Sequence, residues 1–170
     1  PLNVCYNVGL AFQRNALTQN YHRTSKDFTF HAQPTHPKEK REVYVMVVGE
    51  TSRALNWQLY GYERETTPLL SRQTGLIAFP KVLTESNTTH KSVPMLMSDV
   101  TACNYDSIYH QKGIITAFKE AGFRTAFFSN QRYNHSFIDF FGMEADTYDF
   151  IKEDSVRSSY NPSDDELLKL

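Results

Sequence analysis

"VYVMVVGETSR", residues 43–53, is the stretch on which the reading of this chain turns. Six consecutive apolar residues, Val43 to Val48, run into Gly49 and then into Glu50. A continuous apolar run of strand length, rich in valine and closed by glycine, predicts a central parallel strand buried on both faces. Ligands of open α/β sheets bind outside the carboxyl ends of the strands. Glu50 therefore stands where a carboxylate can leave the apolar layer and meet a cation or a substrate. The competing reading makes it a helix cap or an ion-pair partner of Arg53.

Working outward, "LIAFPKVL" (76–83) predicts a second strand, which Pro80 ends or confines to an edge. In "GIITAFKEAGF" (113–123), Ile114, Ile115 and Phe118 share a helical face, and Gly122 supplies the stop. "RTAFFSN" (124–130) then predicts another strand. Strand, helix and strand with short joints make an α/β domain with a parallel sheet. "SFIDFFGM" reads as a short helix or aromatic-rich loop. "SDDELLKL" starts a helix with Ser163 as N-cap and Glu166 at the capping-box position. Residues 1–41 lack a sustained apolar period, carry several Lys and Arg, and read as a solvated lead-in or a membrane-proximal segment.

The bulk numbers exclude several classes. With 170 residues, 40% of them hydrophobic, the chain can bury one sizeable core and is not of disordered composition. A formal net charge of -1 argues against nucleic-acid binding by bulk electrostatics. No run of eighteen or more apolar residues is present. Cys5 and Cys103 lie far apart and outside any metal-ligand spacing, so they read as buried or unpaired thiols, with a long-range disulfide as the other option.

Two further clusters carry chemistry. "TESNTTHKSVPMLMS" (84–98) gathers hydroxyls, an amide, His90 and a lysine ahead of an apolar segment. Pro94 suits the first turn of a helix with Ser92 near its N-cap, which puts Thr88 and Thr89 beside backbone N–H groups that favour phosphate. A threonine hydroxyl is a poor nucleophile until a metal or a base activates it. Glu50 and Thr89 meeting at one cation would supply that activation. "SNQRYNHS" (129–136) places Asn130, Gln131 and His135 at the same sheet edge as substrate contacts. His90 is a further candidate substrate contact by its proximity to Thr89, whereas His22, His31, His36 and His110 have no supporting context.

Taken together, "VVGETSRALNWQLYGYERETTPLL" (47–70) resembles the phosphoethanolamine transferases of Gram-negative envelopes, the family of the mobile colistin-resistance enzymes. The shared pattern is Gly49-Glu50-Thr51 with Arg53, then Leu59, Gly61-Tyr62, Arg64, Thr66 and Pro68, then Thr89 ahead of Ser92-Val93-Pro94. The resemblance implies an alkaline-phosphatase-like three-layer sandwich, α/β with a mostly parallel sheet, here truncated. It implies a zinc ion, or another divalent cation, bound by Glu50 and Thr89, with Thr89 as nucleophile. Phosphoethanolamine would pass from phosphatidylethanolamine to Thr89 and on to lipid A or another envelope glycan. The implied setting is the inner membrane of a Gram-negative bacterium, facing the periplasm, in a monomeric, membrane-anchored parent linked to polymyxin resistance. This chain would be a soluble piece of it.

Three departures accompany the resemblance. Glu85 and Met95 stand where many members pair cysteines around the nucleophile loop, and Asn56 replaces a frequent histidine. The family's remaining zinc ligands, an Asp-His pair and a further His, lie beyond the last residue. Residues 1–41 are accordingly expected to be a juxtamembrane lead-in. Residues 42–170 are expected to be the N-terminal portion of the catalytic domain, inactive when isolated. The rival readings are a phosphoglycerol transferase or sulfatase-like enzyme of the same superfamily, or a non-catalytic module.

Overall fold

The computed structural model describes residues 2–35, 41–50, 52–154 and 163–169. Thr51 of the first motif, His36 with the rest of 36–40, and the end of the predicted last helix at Leu170 lie outside the described residues. Helices α1 (Leu2–Gln19) and α2 (Tyr21–Thr24) come first. Single 3-10 turns at Ala54–Asn56 and Gln58–Tyr60 precede the one-turn α3 (Pro68–Ser71). There follow α4 (Thr89–Leu96), a 3-10 segment at Ala102–Tyr109, α5 (Ile114–Glu120), β1 (Ala126–Ser129), α6 (Phe137–Gly142), β2 (Thr147–Phe150) and α7 (Ile151–Asp154). A 3-10 helix at Asp164–Lys169 stands where a capped α-helix was expected.

The class is α/β, as predicted. β1 and β2 pair in parallel, with Ala126 opposite Thr147 and Ser129 opposite Phe150, and α6 lies between them in the chain. Helix α5 ends as its sequence requires. Gly122 adopts φ +86, Phe123 N–H reaches back to the Phe118 carbonyl at 3.0 Å, and Gly122 N–H reaches Lys119 at 2.9 Å. This is the paired closure of a Schellman motif, completed by the Phe118 and Phe123 rings at 5.3 Å. The turn then feeds β1 directly.

The core gathers Tyr21, Met97, Val100, Ile108, Tyr109, Phe137, Phe140 and Phe141, where α2, α4, α6 and the 102–109 segment meet. Tyr21 stacks on Phe140 at 5.2 Å and meets Phe137 edge-on at 5.2 Å. Part of the segment read as a solvated lead-in is therefore structural: it is helical over Leu2–Gln19 and sends Tyr21 into the core. The sequence signal was weak because the α1 face is mostly exposed, with Leu17 packing against the core.

Two predicted strands are not formed. Residues 41–49 and 76–84 pair with no strand, and their apolar side chains face outward, Val47 at 87% and Leu83 at 94% exposure. Periodicity reports apolar content; burial also needs a neighbouring strand and a covering layer, and among the described residues neither lies over these runs. The first run is nonetheless anchored at both ends. Tyr44 packs on Phe118 and Phe123, which precede β1, and Glu50 bonds Gln131, which follows it. Residues 44–50 thus run in the same sense as β1 without a ladder. Both cysteines are unpaired, as expected, but exposed where burial was expected.

A half-buried carboxylate clasps these elements. Glu144 accepts from Gly113 N–H at 2.9 Å and Thr116 Oγ1 at 2.8 Å, and lies 3.2 Å from the Tyr21 hydroxyl. Desolvation dominates over these bonds and raises its pKa above the ordinary glutamate value. A raised folded-state pKa contributes stability that is complete below the unfolded value and is lost as pH rises through the folded value. In urea melts the stability of the wild type relative to Glu144→Gln should therefore decrease from acid towards neutral pH; carboxylates of lowered pKa such as Asp146 slope the other way in both proteins and cancel in this difference.

Gly142 tests the packing of α6 against β1. A β-carbon there would sit 2.4 Å from the Phe127 ring. Gly142→Ala is expected to cost about 1–3 kcal/mol through overpacking, read from the same melts.

Candidate functional site

The end of the 41–50 run brings one carboxylate to two partners. Thr89 Oγ1 donates to Glu50 Oε1 at 2.8 Å, and Gln131 Nε2 donates to Glu50 Oε2 at 3.0 Å. Three stretches far apart in sequence converge: the end of the apolar run, the start of α4 and the end of β1. Among the described residues Glu50 makes no ion pair with Arg53, so that competing reading is not what is seen.

Thr89 is the first residue of α4, with Thr88 as an extended N-cap at φ -126 and ψ 132 that makes no side-chain capping bond. The helix thus starts earlier than the Ser92 cap that the sequence suggested. Pro94 sits inside it, fully buried, where packing offsets the lost N–H. Thr89 therefore lies at the positive end of the helix, beside first-turn N–H groups suited to an anion.

The loop ahead of Thr89 is held by polar bonds. Glu85 accepts from Ala102 N–H, at the start of the 102–109 segment. Thr84 Oγ1 donates to the Ser86 carbonyl at 2.9 Å, and the Ser86 and Thr88 hydroxyls share a bond at 3.2 Å. Glu85 was noted in the sequence only as a substitution for cysteine; a lone carboxylate four residues ahead of Thr89 was its one available signal.

Much of the second motif is scaffold. Gly61 caps the Gln58–Tyr60 turn at φ +95, in the left-handed region that favours glycine. Thr66 Oγ1 donates to the Asn56 carbonyl at 2.7 Å and accepts from Gln58 N–H at 2.9 Å, and Pro68 opens α3.

The other predicted contacts are dispersed. Asn130 Nδ2 donates to Asp164 Oδ1 at 2.6 Å, tying the end of β1 to the last 3-10 helix. His135 adopts φ +60 with its ring 4.5 Å from Tyr133, and His90 is exposed beside Thr89. Neither histidine bonds Glu50 or Thr89 among the described residues. Gln131 joins the cluster, as a partner of Glu50.

The sulfatase family profile matches residues 42–170. The chain belongs to the sulfatase family. Its fold is accordingly the alkaline-phosphatase-like α/β type, of which the β1–α6–β2 unit is the visible parallel part.

Several curated proteins to which this sulfatase-family chain is similar are named phosphoethanolamine or phosphatidylethanolamine transferases. It is 37% identical over 95 residues to phosphoethanolamine transferase EptA of Escherichia coli K12, covering 54% of this chain and 17% of that protein. It is 31% identical over 137 residues to phosphoethanolamine transferase OpgE of the same strain, covering 78% and 25%. To phosphatidylethanolamine transferase Mcr-1 of Escherichia coli it is 32% identical over 131 residues, covering 72% and 23%. The chain thus spans 17–25% of the length of these relatives. No solved structure gives a significant match.

Within this sulfatase-family chain, a carboxylate oxygen and an alcohol oxygen meeting at 2.8 Å are hard donors of the kind a divalent cation takes. No group of three His, Cys, Asp or Glu that could hold a metal occurs among the described residues. Glu50 and Thr89 are the two residues of this cluster whose oxygens could contribute to a divalent-cation site. No helix among the described residues is long and apolar enough to cross a membrane.

The Glu85 tether gives a direct test of the loop. A hydrogen bond to a charged acceptor contributes about 1.5–3 kcal/mol, with an exposed site at the low end. Glu85→Ala should speed amide hydrogen exchange at Ala102 and across 84–88 by about tenfold, while exchange at the Phe141 core stays unchanged.

Proposed function

We propose that this chain carries the nucleophile half of a phosphoethanolamine transfer site. Phosphatidylethanolamine is the donor, and a cell-envelope glycan such as lipid A is the acceptor. The observation that supports the reading is the bond from Thr89 Oγ1 to Glu50 Oε1 at the N-terminus of α4. The similarity to EptA, OpgE and Mcr-1, each named as a transferase of this type, agrees with it.

Thr89 Oγ1 attacks the phosphorus of the donor, and the bond from phosphorus to the diacylglycerol oxygen breaks. The hydroxyl proton leaves along the existing bond to Glu50 and is taken up by the departing diacylglycerol oxygen. First-turn N–H groups of α4 face the phosphoryl oxygens, where they offset the charge that builds up in line with attack. The resulting phospho-threonine is then attacked by an acceptor oxygen, which releases Thr89 Oγ1 and restores its proton. Zinc held in part by Glu50 and Thr89 would supply Lewis acidity that lowers the pKa of the hydroxyl. The reaction belongs on the periplasmic face of a Gram-negative inner membrane, where donor lipid and glycan acceptor occur together, and its product would account for polymyxin resistance.

The test is mass spectrometry of the full-length protein carrying this chain, incubated with phosphatidylethanolamine in detergent. One phosphoethanolamine adduct is expected on the peptide containing Thr89, and none in Thr89→Ala. An adduct that persists in that variant would overturn the nucleophile assignment.

A further inference from the structure

Glu50 stands at the end of an unpaired extended run, and it is itself exposed, as are Val47 and Val48 before it. Among the described residues no packed wall orients its side chain. The terminal torsion of a glutamate is broad and offers no strong rotamer preference of its own. Hydrogen bonds must therefore supply the orientation, and two are present, one on each oxygen. Thr89 takes Oε1 at 2.8 Å, and Gln131 takes Oε2 at 3.0 Å.

The Gln131 bond has a fixed sense and a fixed base. An ionised carboxylate only accepts, so the NH2 end of the amide must face Glu50. The backbone N–H of Gln131 donates to Ser129 Oγ at 3.1 Å, and Ser129 is buried at the end of β1. The amide is thereby referred to the sheet, the most regular part of the fold.

We propose that Gln131 is a positioning residue. It holds Glu50 by Oε2 so that Oε1 is the oxygen presented to Thr89 and to a divalent cation shared with it. This differs from a substrate contact, the role its place at the strand end first suggested. It rests on the transferase reading for the cation and goes beyond that reading for the residue that aims its carboxylate ligand. Outer partners of metal ligands typically change metal affinity or activity by about 10–100-fold when removed.

The experiment uses the full-length protein with Gln131→Ala and Gln131→Leu. The second variant keeps most of the side chain's bulk, removes the donor without adding a metal ligand, and carries the test if the first does not fold. Zinc affinity is read by competition with a zinc-binding dye, transfer by steady-state kinetics with phosphatidylethanolamine, and folding by thermal melts. Zinc affinity is expected to fall by about 10–100-fold, with kcat lowered by a similar factor. KM and the melting temperature should be unchanged. A raised KM with unchanged zinc affinity would make Gln131 a substrate contact and overturn the proposal. So would unchanged zinc affinity and kcat. Glu50→Ala separates the two levels. If it abolishes tight zinc binding while the Gln131 variants retain it, only the positioning role fails. If Glu50→Ala leaves zinc affinity intact, the metal reading fails and the positioning role with it.

Discussion

Tyr21 buries its ring among Phe137, Phe140 and Phe141 and must still satisfy its hydroxyl. It does so by donating to the Gln111 carbonyl at 2.9 Å, with Glu144 Oε1 at 3.2 Å. Burial and the neighbouring carboxylate push its pKa well above the usual tyrosine value, so the phenol stays protonated and the bond persists. Through Glu144 the constraint extends to Gly113 and Thr116, the start of α5. Lys119 on the same helix donates to the Glu144 carbonyl and pairs with Asp146, whose carboxylate accepts from Thr125 just ahead of β1. One aromatic residue from the opening helices thus indirectly sets the position of the strand whose far end delivers Gln131 to Glu50.

What could be read from the sequence divides along a physical line. Local rules worked where the structure is local: Gly122 closes α5, the 124–130 stretch contains β1, and Phe137–Gly142 is a short helix capped by Ser136 and Asp139. The meeting of Glu50 with Thr89 was also legible, because the sequence puts one directly after an apolar run closed by glycine and the other just ahead of a helix. Features that depend on distant partners were not legible. Val43 to Val48 have the composition of a central strand, yet a strand exists only as part of a ladder. Tyr21 was hidden in a polar stretch, and β2, with only Tyr148 and Phe150 as apolar signals in "TYDF", gave no pattern to find.

The spacings of the motifs turn out to mix two kinds of residue. Gly61, Thr66 and Pro68 shape the turns of 54–71. Among the described residues of the pattern, Glu50 and Thr89 face each other, one at the end of the 41–50 run and the other at the start of α4. A family pattern therefore marks the scaffold as much as the chemistry, and geometry is needed to sort one from the other. Glu85 makes the same point in reverse: outside the pattern, it ties the nucleophile loop to Ala102 through a hydrogen bond.

The extended runs 41–49 and 76–84 also bear on how the 170-residue chain behaves in company. Each presents backbone N–H and C=O groups without a ladder and a row of exposed valine, isoleucine or phenylalanine side chains. Such edges are templates for pairing with another chain; in the first run the charges, Arg41 and Glu42, stand only at its start, and in the second Pro80 and Lys81 interrupt the apolar row. At high concentration the isolated chain is accordingly prone to self-association through these two edges, so dilution and early capture of the edges govern whether it stays dispersed.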